Sequence, residues 1–321
     1  MTRDRRAPSG PSPLFPLPRA APRPRGARPQ PPPARSSPLS GPLPDHDLLL
    51  RTLRPVLAGL SPDAVAFGRT AAYVWGVDLH PRGTSVTRER LHVALPPGVA
   101  GAARAGVVAH RQYVPEAERE RVRGVRVTAR ARTALDVAAL SVSLYAATAA
   151  LDRFLALRVT TAERLRAAAL SHPRASRGTL RRALGLADGR SQSPAESWTR
   201  VLLDQAGLPR PLPQCPVPTV EGDFRADLGW PAYRVAVEYD SAAHHSLPAD
   251  RARDRFRHGA MRAEGWTVIL IGVHDLCARP AAFLRELVAA LTEGGWSASP
   301  ERTARVWRAV HGVERRPPRL G

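Results

Sequence analysis

Lysine is absent from the 321 residues, so all 48 basic side chains are arginines. Only two cysteines occur, Cys215 and Cys277, which excludes a disulfide framework, and their spacing matches no zinc-binding motif. We therefore expect a reducing, cytoplasmic environment. No run of about 18 apolar residues exists, so no membrane span is expected. The N-terminus also lacks the apolar segment of a secretory signal.

Acidic residues are scarce, with 28 against 48 arginines, and the formal net charge is +20. Such a charge indicates a polyanionic partner, although codon bias towards arginine explains much of the excess equally well. Residues 191–293 are the one segment that is not basic, with 11 arginines against 13 acids. An acidic cluster inside a basic protein suits a metal site that acts on a phosphate polymer.

Composition divides the chain into four parts. Residues 1–45 contain 14 prolines and are predicted to form a disordered, arginine-rich tail, although a wrongly assigned start codon explains them equally well. Residues 46–190 are predicted to form a mixed α/β region that binds DNA or a protein partner. Residues 191–293 are predicted to form a second domain, and residues 294–321 a basic C-terminal tail that is either helical or frayed.

The order of elements in residues 191–293 is predicted as α-β-β-β-α-β-α. Ser193, Pro194 and Glu196 begin the first helix, with serine as N-cap, proline at N1 and glutamate at N3. A proline-interrupted strand over 213–222 precedes a hairpin, and a helix over 249–264 follows it. The apolar run 267–272 predicts a strand covered on both faces, and Pro280 opens the last helix. The fold class is therefore α/β.

The hairpin lies within FRADLGWPAYRVAVEYDSAAHH, residues 224–245, and carries Asp227, Glu238 and Asp240. Alternation places Phe224 to Trp230 with their apolar side chains on one face, and the three acids together on the other. A two-residue turn at Pro231 and Ala232 would place Asp227 diagonal to Glu238, about 7–8 Å away between Cα atoms. Acids this close repel one another unless a cation lies between them.

Several motifs occur in this order: SPAESWTRVLLDQAGLP, FRADLGWP, VAVEYDSAAHH, the Asp254–Arg257 helix segment, and Gly265-Trp266 before TVILIG. Over residues 190–293 this series resembles the core of PD-(D/E)XK nucleases, most closely their very-short-patch-repair-like endonuclease domains. Residues 46–190 resemble, more weakly, the region that precedes this domain in its relatives. An "aRTaLD" stretch like that at 131–136 recurs in that region, which is itself similar to AbiEi-type antitoxin proteins.

The nuclease resemblance implies an αβββαβα core with a central mixed sheet and a metal-dependent DNA endonuclease activity. It implies Mg²⁺, or Mn²⁺, held by Asp227 and Glu238, with Glu196 or Asp240 completing the ligands and His244 assisting proton transfer. Arg255 and Arg257 would contact phosphate. No small-molecule cofactor is expected. Two features depart from the family pattern: its lysine cannot exist here, and Ser241 stands where glycine is usual after the aspartate.

Each of these residues also has a structural interpretation. Glu196 is explained by helix capping, Asp240 by an ion pair with Arg251 or Arg255, and Arg257 by an ion pair with Asp254. The alternative function is accordingly a non-catalytic, DNA-binding or antitoxin-like regulator that retains the nuclease fold. A third is an RNA-processing or repair accessory that acts through the basic tail.

Overall fold

The computed structural model describes residue 43 and residues 45–79, 89–99, 104–174, 178–240 and 248–320. The described residues form an α/β protein with two mixed sheets. The predicted site residue His244 and its neighbours Ser241 and His245 lie outside the described residues, as does most of the predicted tail 1–45. Among the described helices, none combines the length and apolar character that crossing a bilayer requires.

The first sheet has five strands in the order β3-β2-β1-β5-β4. Its strands are β1 Val65–Ala66, β2 Leu91–Leu95, β3 Val107–Arg111, β4 Arg119–Val122 and β5 Val125–Thr128. The associated helices are α1 His46–Leu60, α2 Gly68–Val74, α3 Arg130–Leu140, α4 Leu144–Ala156, α5 Ala162–Ser171 and α6 Gly178–Leu186. Helix α1 buries Leu49, Leu53 and Leu57 against β-strand residues such as Val93 and Val127, because a spacing of four residues aligns its leucines on one face.

The second sheet has the order β6-β7-β8-β9, antiparallel except for the parallel pair β8 and β9. The strands are β6 Leu212–Thr219, β7 Gly222–Trp230, β8 Val235–Tyr239 and β9 Thr267–Ile271. The helices of this half are α7 Pro194–Ala206, α8 Pro248–Ala263, α9 Val273–Cys277, α10 Pro280–Glu293 and α11 Pro300–Arg315. The predicted order α-β-β-β-α-β-α is present, with the short α9 added before the last predicted helix.

The predicted two-residue turn of the hairpin is wrong. Pro231–Tyr233 form one turn of 3₁₀ helix, and Arg234 follows in the left-handed region with φ of 51°. This four-residue connection pairs Leu228 with Val237 and Trp230 with Val235. The same register, continued by one residue, places Asp227 directly opposite Glu238 rather than diagonal to it. The two acids share one face, as predicted, because an even-numbered connection preserves the alternation.

The predicted single apolar face from Phe224 to Trp230 is also wrong. Phe224 and Ala226 pack with Cys215 and with Met261 of α8, whereas Leu228 and Trp230 join the core beneath α7 and α10. Strand β6 contains Gln214 in the left-handed region with φ of 51°, an irregularity that alternation alone does not reveal. Both faces of β7 are therefore covered near Asp227.

Gly229 marks the tightest contact between β6 and β7. A Cβ atom at this position would lie 2.6 Å from both Cβ and Sγ of Cys215. We expect Gly229→Ala to lower the free energy of unfolding by about 1–3 kcal/mol, because neither backbone can move without breaking the strand pairing. Gly185→Ala in α6, where no atom of the described residues lies within 4 Å of the added Cβ, is the control and should be neutral or slightly stabilising. Urea denaturation measures both, and equal effects would contradict this packing.

Residues 294–321, predicted as a basic tail, contain helix α11, which buries Val306 and Val310. The spacing of four places these valines on one face, and they join the core that α7 and α10 share. The side chain of Ser299 accepts a hydrogen bond from the backbone N–H of Arg302 at 3.3 Å and caps the helix. This segment is thus part of the folded protein, with its arginines on the exposed side.

Candidate functional site

Three acidic side chains meet at the end of the second sheet, one from each of three elements. Glu196 is the third residue of α7, Asp227 lies on β7 and Glu238 on β8. Glu196 and Glu238 are 5% and 2% exposed. The charge of Asp227 raises the pKa of Glu196, and the charge of Glu238 raises the pKa of Asp227. We call these residues the carboxylate cluster.

Glu196 serves both the helix cap and the cluster. Its Oε1 accepts from the hydroxyl of Ser193 at 3.0 Å, and the Ser193 Oγ accepts from the Glu196 backbone N–H at 3.2 Å. Its Oε2 accepts from the backbone N–H of Gln192 at 2.9 Å and from Nε2 of Gln214 at 3.4 Å. Burial, and then the charge of Asp227, raise the pKa of Glu196 to about 7. The two interpretations of this residue are therefore compatible.

Asp227 is held by the neighbouring strand. Its Oδ2 accepts a hydrogen bond from the backbone N–H of Tyr239 at 2.8 Å. Burial, and then the charge of Glu238, raise the pKa of Asp227 to about 6, and the nearby Arg257 opposes this rise. A substantial fraction of this carboxyl is consequently protonated in weakly acidic solution.

Glu238 has an arginine as its counter-ion. Its Oε2 lies 2.9 Å from Nη2 of Arg257 and 3.9 Å from Nε2 of His258, both on α8. The same guanidinium lies 3.3 Å from Oδ1 of Asp254. The sequence predicted that a cation would offset the charge of these acids. In the structure that positive charge comes from Arg257, a residue of the protein itself. Arg257, predicted to contact phosphate, forms the ion pair with Asp254 that was its structural alternative.

Two predicted site residues stand apart from the cluster. Asp240 is exposed just after β8, and its backbone N–H donates to the carbonyl oxygen of Ile271 at 2.7 Å. Arg255 is exposed on α8. Within the described part of the chain, Asp240 forms no ion pair with Arg251 or Arg255. In the same residues, no group of three or more histidine, cysteine, aspartate or glutamate side chains is arranged to hold a metal ion.

One atom of the cluster still lacks a partner among the described residues. Oε1 of Glu238 is buried and accepts no hydrogen bond, and Nε of Arg257 is likewise buried without an acceptor. Hard cations such as Mg²⁺ take carboxylate oxygens with free lone pairs as ligands. Asp227 and Glu238 therefore fit a site in which Mg²⁺ keeps several waters and binds two carboxylates. Arg257 would have to move away from Glu238 Oε2, which it contacts at 2.9 Å.

A buried ionic network on α3 was not recognised in the sequence as a functional feature. Arg132 Nε donates to Oδ2 of Asp136 at 2.8 Å, and His172 Nε2 lies 3.0 Å from Oδ1 of the same carboxylate. Arg132 also forms an ion pair with Glu118. The i, i+4 spacing of Arg132 and Asp136 in the ARTALD stretch was the available signal, since such residues face each other on a helix.

A second buried network joins α7 to α4. Asp152 of α4 forms an ion pair with Arg200 of α7, and both side chains are at most 3% exposed. Asp152 also accepts from the hydroxyl of Ser197 and from the backbone N–H of Asp188, each at 2.6 Å. Arg200 donates in turn to the carbonyl oxygen of Leu186 at 2.6 Å. Charged contacts thus cross the boundary that composition placed at residue 190.

Residues 64–186 match the family model of the AbiEi antitoxin C-terminal domain. The chain is 34% identical over 219 residues to uncharacterized proteins of Mycobacterium tuberculosis, from strains CDC 1551 / Oshkosh and ATCC 25618 / H37Rv. In both comparisons the matched part covers 68% of this chain and 77% of the relative. The chain belongs to the family of these two mycobacterial proteins. No solved structure matches it.

The AbiEi-like region, residues 64–186, spans the fold from β1 to α6. It contains the network of Arg132, Asp136 and His172, so the buried ion pairs of α3 lie within the part that resembles an antitoxin domain. The predicted similarity of residues 46–190 to AbiEi proteins is confirmed over this range. The nuclease resemblance of residues 191–293 stays a prediction.

Proposed function

We propose that this protein is a DNA-binding regulator with an antitoxin-like role, in a toxin–antitoxin or abortive-infection system. The observation that carries the proposal is the match of residues 64–186 to the AbiEi antitoxin C-terminal domain. The net charge of +20 supports DNA as the partner, and 23 arginines against 11 acids lie in residues 46–190. A protein partner, such as a toxin, would be bound through the same region.

The carboxylate cluster supports a regulator that needs no catalysis. Arg257 compensates the charge of Glu238 at 2.9 Å, and burial favours the protonated forms of Glu196 and Asp227. The cluster can therefore exist at neutral pH without a metal ion. Its hydrogen bonds and its ion pair connect α7, α8 and the second sheet.

Gel shifts test the proposal. The 321-residue chain should retard a duplex of about 30 base pairs in the presence of EDTA. The affinity should fall at least tenfold between 50 and 200 mM salt, because arginines displace counterions from several phosphates. Asp227→Asn is the matched control and should bind equally well, since it retains the side-chain volume and an oxygen that can accept from the backbone N–H of Tyr239. Absence of any shift in low salt would contradict DNA binding.

A metal-dependent DNA endonuclease is the second candidate function. The observation that favours it is that Oε1 of Glu238, opposite Asp227 on the neighbouring strand, has no hydrogen-bond partner among the described residues. Asp227 and Glu238 would hold Mg²⁺ or Mn²⁺, with Glu196 or Asp240 assisting, and His244 would move a proton. The bound ion would polarise the phosphate and lower the pKa of the attacking water. This candidate requires strand scission in Mg²⁺ that Asp227→Asn abolishes.

A further inference from the structure

A cavity of about 300 Å³ lies beside the carboxylate cluster, just before the N-terminus of α7. Its lining comes from α4, from the segment that precedes α7, and from strands β6 and β7. The lining residues that matter here are Ala156 of α4, Arg190, Ser191 and Gln192 before α7, Gln214 of β6 and Arg225 of β7. No carboxylate is among the lining residues in the described ranges, although Glu196 lies directly behind the wall.

The lining is rich in hydrogen-bond donors. Arg225 is exposed, and among the described residues its guanidinium donates only to the carbonyl oxygen of Gln214, at 3.4 Å. Most of its five N–H groups can therefore face a ligand. Arg190 is fixed by Asp188, which accepts from its Nε at 3.0 Å and from its Nη2 at 2.7 Å. The hydroxyl of Ser191 accepts from Nε of Arg200 at 3.2 Å, so its own proton is available to an acceptor.

Gln214 separates the cavity from the carboxylates. Its Oε1 accepts from Nε2 of Gln192 at 3.0 Å on the cavity side, and its Nε2 donates to Oε2 of Glu196 at 3.4 Å on the other. An anion in the cavity therefore meets arginine and hydroxyl donors first, with a neutral amide between it and Glu196. Guanidinium and hydroxyl groups on one concave surface are typical of phosphate recognition.

We propose that this cavity binds one backbone phosphate of DNA. The inference rests on the proposed DNA binding and assigns a position to it, next to the carboxylate cluster and between the AbiEi-like region and the second sheet. Arg225 supplies the charge. Arg190, whose charge Asp188 already compensates, offers a pre-oriented N–H donor, and Ser191 offers a neutral one. Such a contact fixes the register of the duplex without reading its sequence.

Gel shifts of the 321-residue chain at 50–200 mM salt test this assignment with three variants. Arg225→Gln removes the principal charge and should make the slope of log K against log salt shallower by about 1. Ala156→Leu fills the cavity without changing any charge and should weaken binding several-fold. Arg308→Gln removes an exposed arginine of α11 and is the matched control, with an unchanged slope. Thermal melting verifies that each variant is folded.

The outcomes distinguish a failure of the proposed DNA binding from a failure of the cavity assignment. If the wild-type protein binds no DNA, the proposed function itself fails. If the wild type binds and both Arg225→Gln and Ala156→Leu behave like Arg308→Gln, the cavity is not a phosphate site, while DNA binding stands. Weakening by Arg225→Gln alone, with full affinity in Ala156→Leu, would place the phosphate on the surface around Arg225 and would overturn the cavity assignment.

Discussion

Replacing Arg200 by methionine is expected to lower the free energy of unfolding by about 3–5 kcal/mol. The side chains of Arg200 and Asp152 are 3% and 2% exposed, so the substitution leaves a buried carboxylate without its counter-ion. Burial already raises the pKa of Asp152, and the charge of Arg200 opposes that rise. The loss should be largest above neutral pH and smaller in acid, where Asp152 can take up a proton.

Urea denaturation measures this loss, and an exposed ion pair provides the control. Arg285 lies 2.8 Å from Glu314, with side chains 43% and 51% exposed, so Arg285→Met should cost less than about 1 kcal/mol. Adding Asp152→Asn to Arg200→Met removes the unpaired charge and should recover part of the stability. A loss from Arg200→Met no greater than that from Arg285→Met would show that this pair does not stabilise the contact between α4 and α7.

Raising the pH from about 5 to about 8 is expected to destabilise the folded protein through the carboxylate cluster. The pKa of Glu196 is raised to about 7 and that of Asp227 to about 6, so the folded state binds these protons more tightly than the unfolded chain. Their stabilising contribution is complete below the unfolded pKa values and is lost as the pH rises through 6 and 7. For Glu196 alone the loss amounts to about 3 kcal/mol.

Thermal melting of the wild type and of two variants between pH 5 and 8 measures the contribution of Glu196 to this pH dependence. Glu196→Gln mimics the protonated form, so it should be more stable than the wild type at pH 8 and nearly equal at pH 5. Glu286→Gln on α10 removes an exposed glutamate and should leave the pH profile parallel to that of the wild type. If Glu196→Gln and Glu286→Gln give the same profile, Glu196 titrates normally and the cluster is more open to water than its burial indicates.

Local sequence signals predicted the elements that position the cluster. Ser193 and Glu196 gave the start of α7, and alternation placed Asp227 and Glu238 on the same face of the hairpin. Both signals act over a few residues, because capping and strand periodicity depend on neighbours in the chain. The i, i+4 pair of Arg132 and Asp136 was equally local and was open to the same reasoning.

The ion pairs between segments far apart in the chain could not be predicted from the sequence. Glu238 and Arg257 belong to a strand and a helix 19 positions apart, and Asp152 and Arg200 lie 48 positions apart. Nothing in the order of residues indicates which of the many arginines would reach a given carboxylate. The left-handed backbone at Gln214 and Arg234 was also hidden, since neither residue is a glycine that would mark it.

Strand scission in supercoiled plasmid DNA tests the central claim most directly: the protein binds DNA while Arg257, and not a metal ion, neutralises Glu238. The wild type, Asp227→Asn and Glu238→Gln are each incubated with plasmid in EDTA, in Mg²⁺ and in Mn²⁺. We predict that the wild type retards the plasmid and nicks it no more than either variant does, in EDTA, in Mg²⁺ and in Mn²⁺. Nicking by the wild type in Mg²⁺ or Mn²⁺ that both variants abolish would contradict it and would establish the endonuclease.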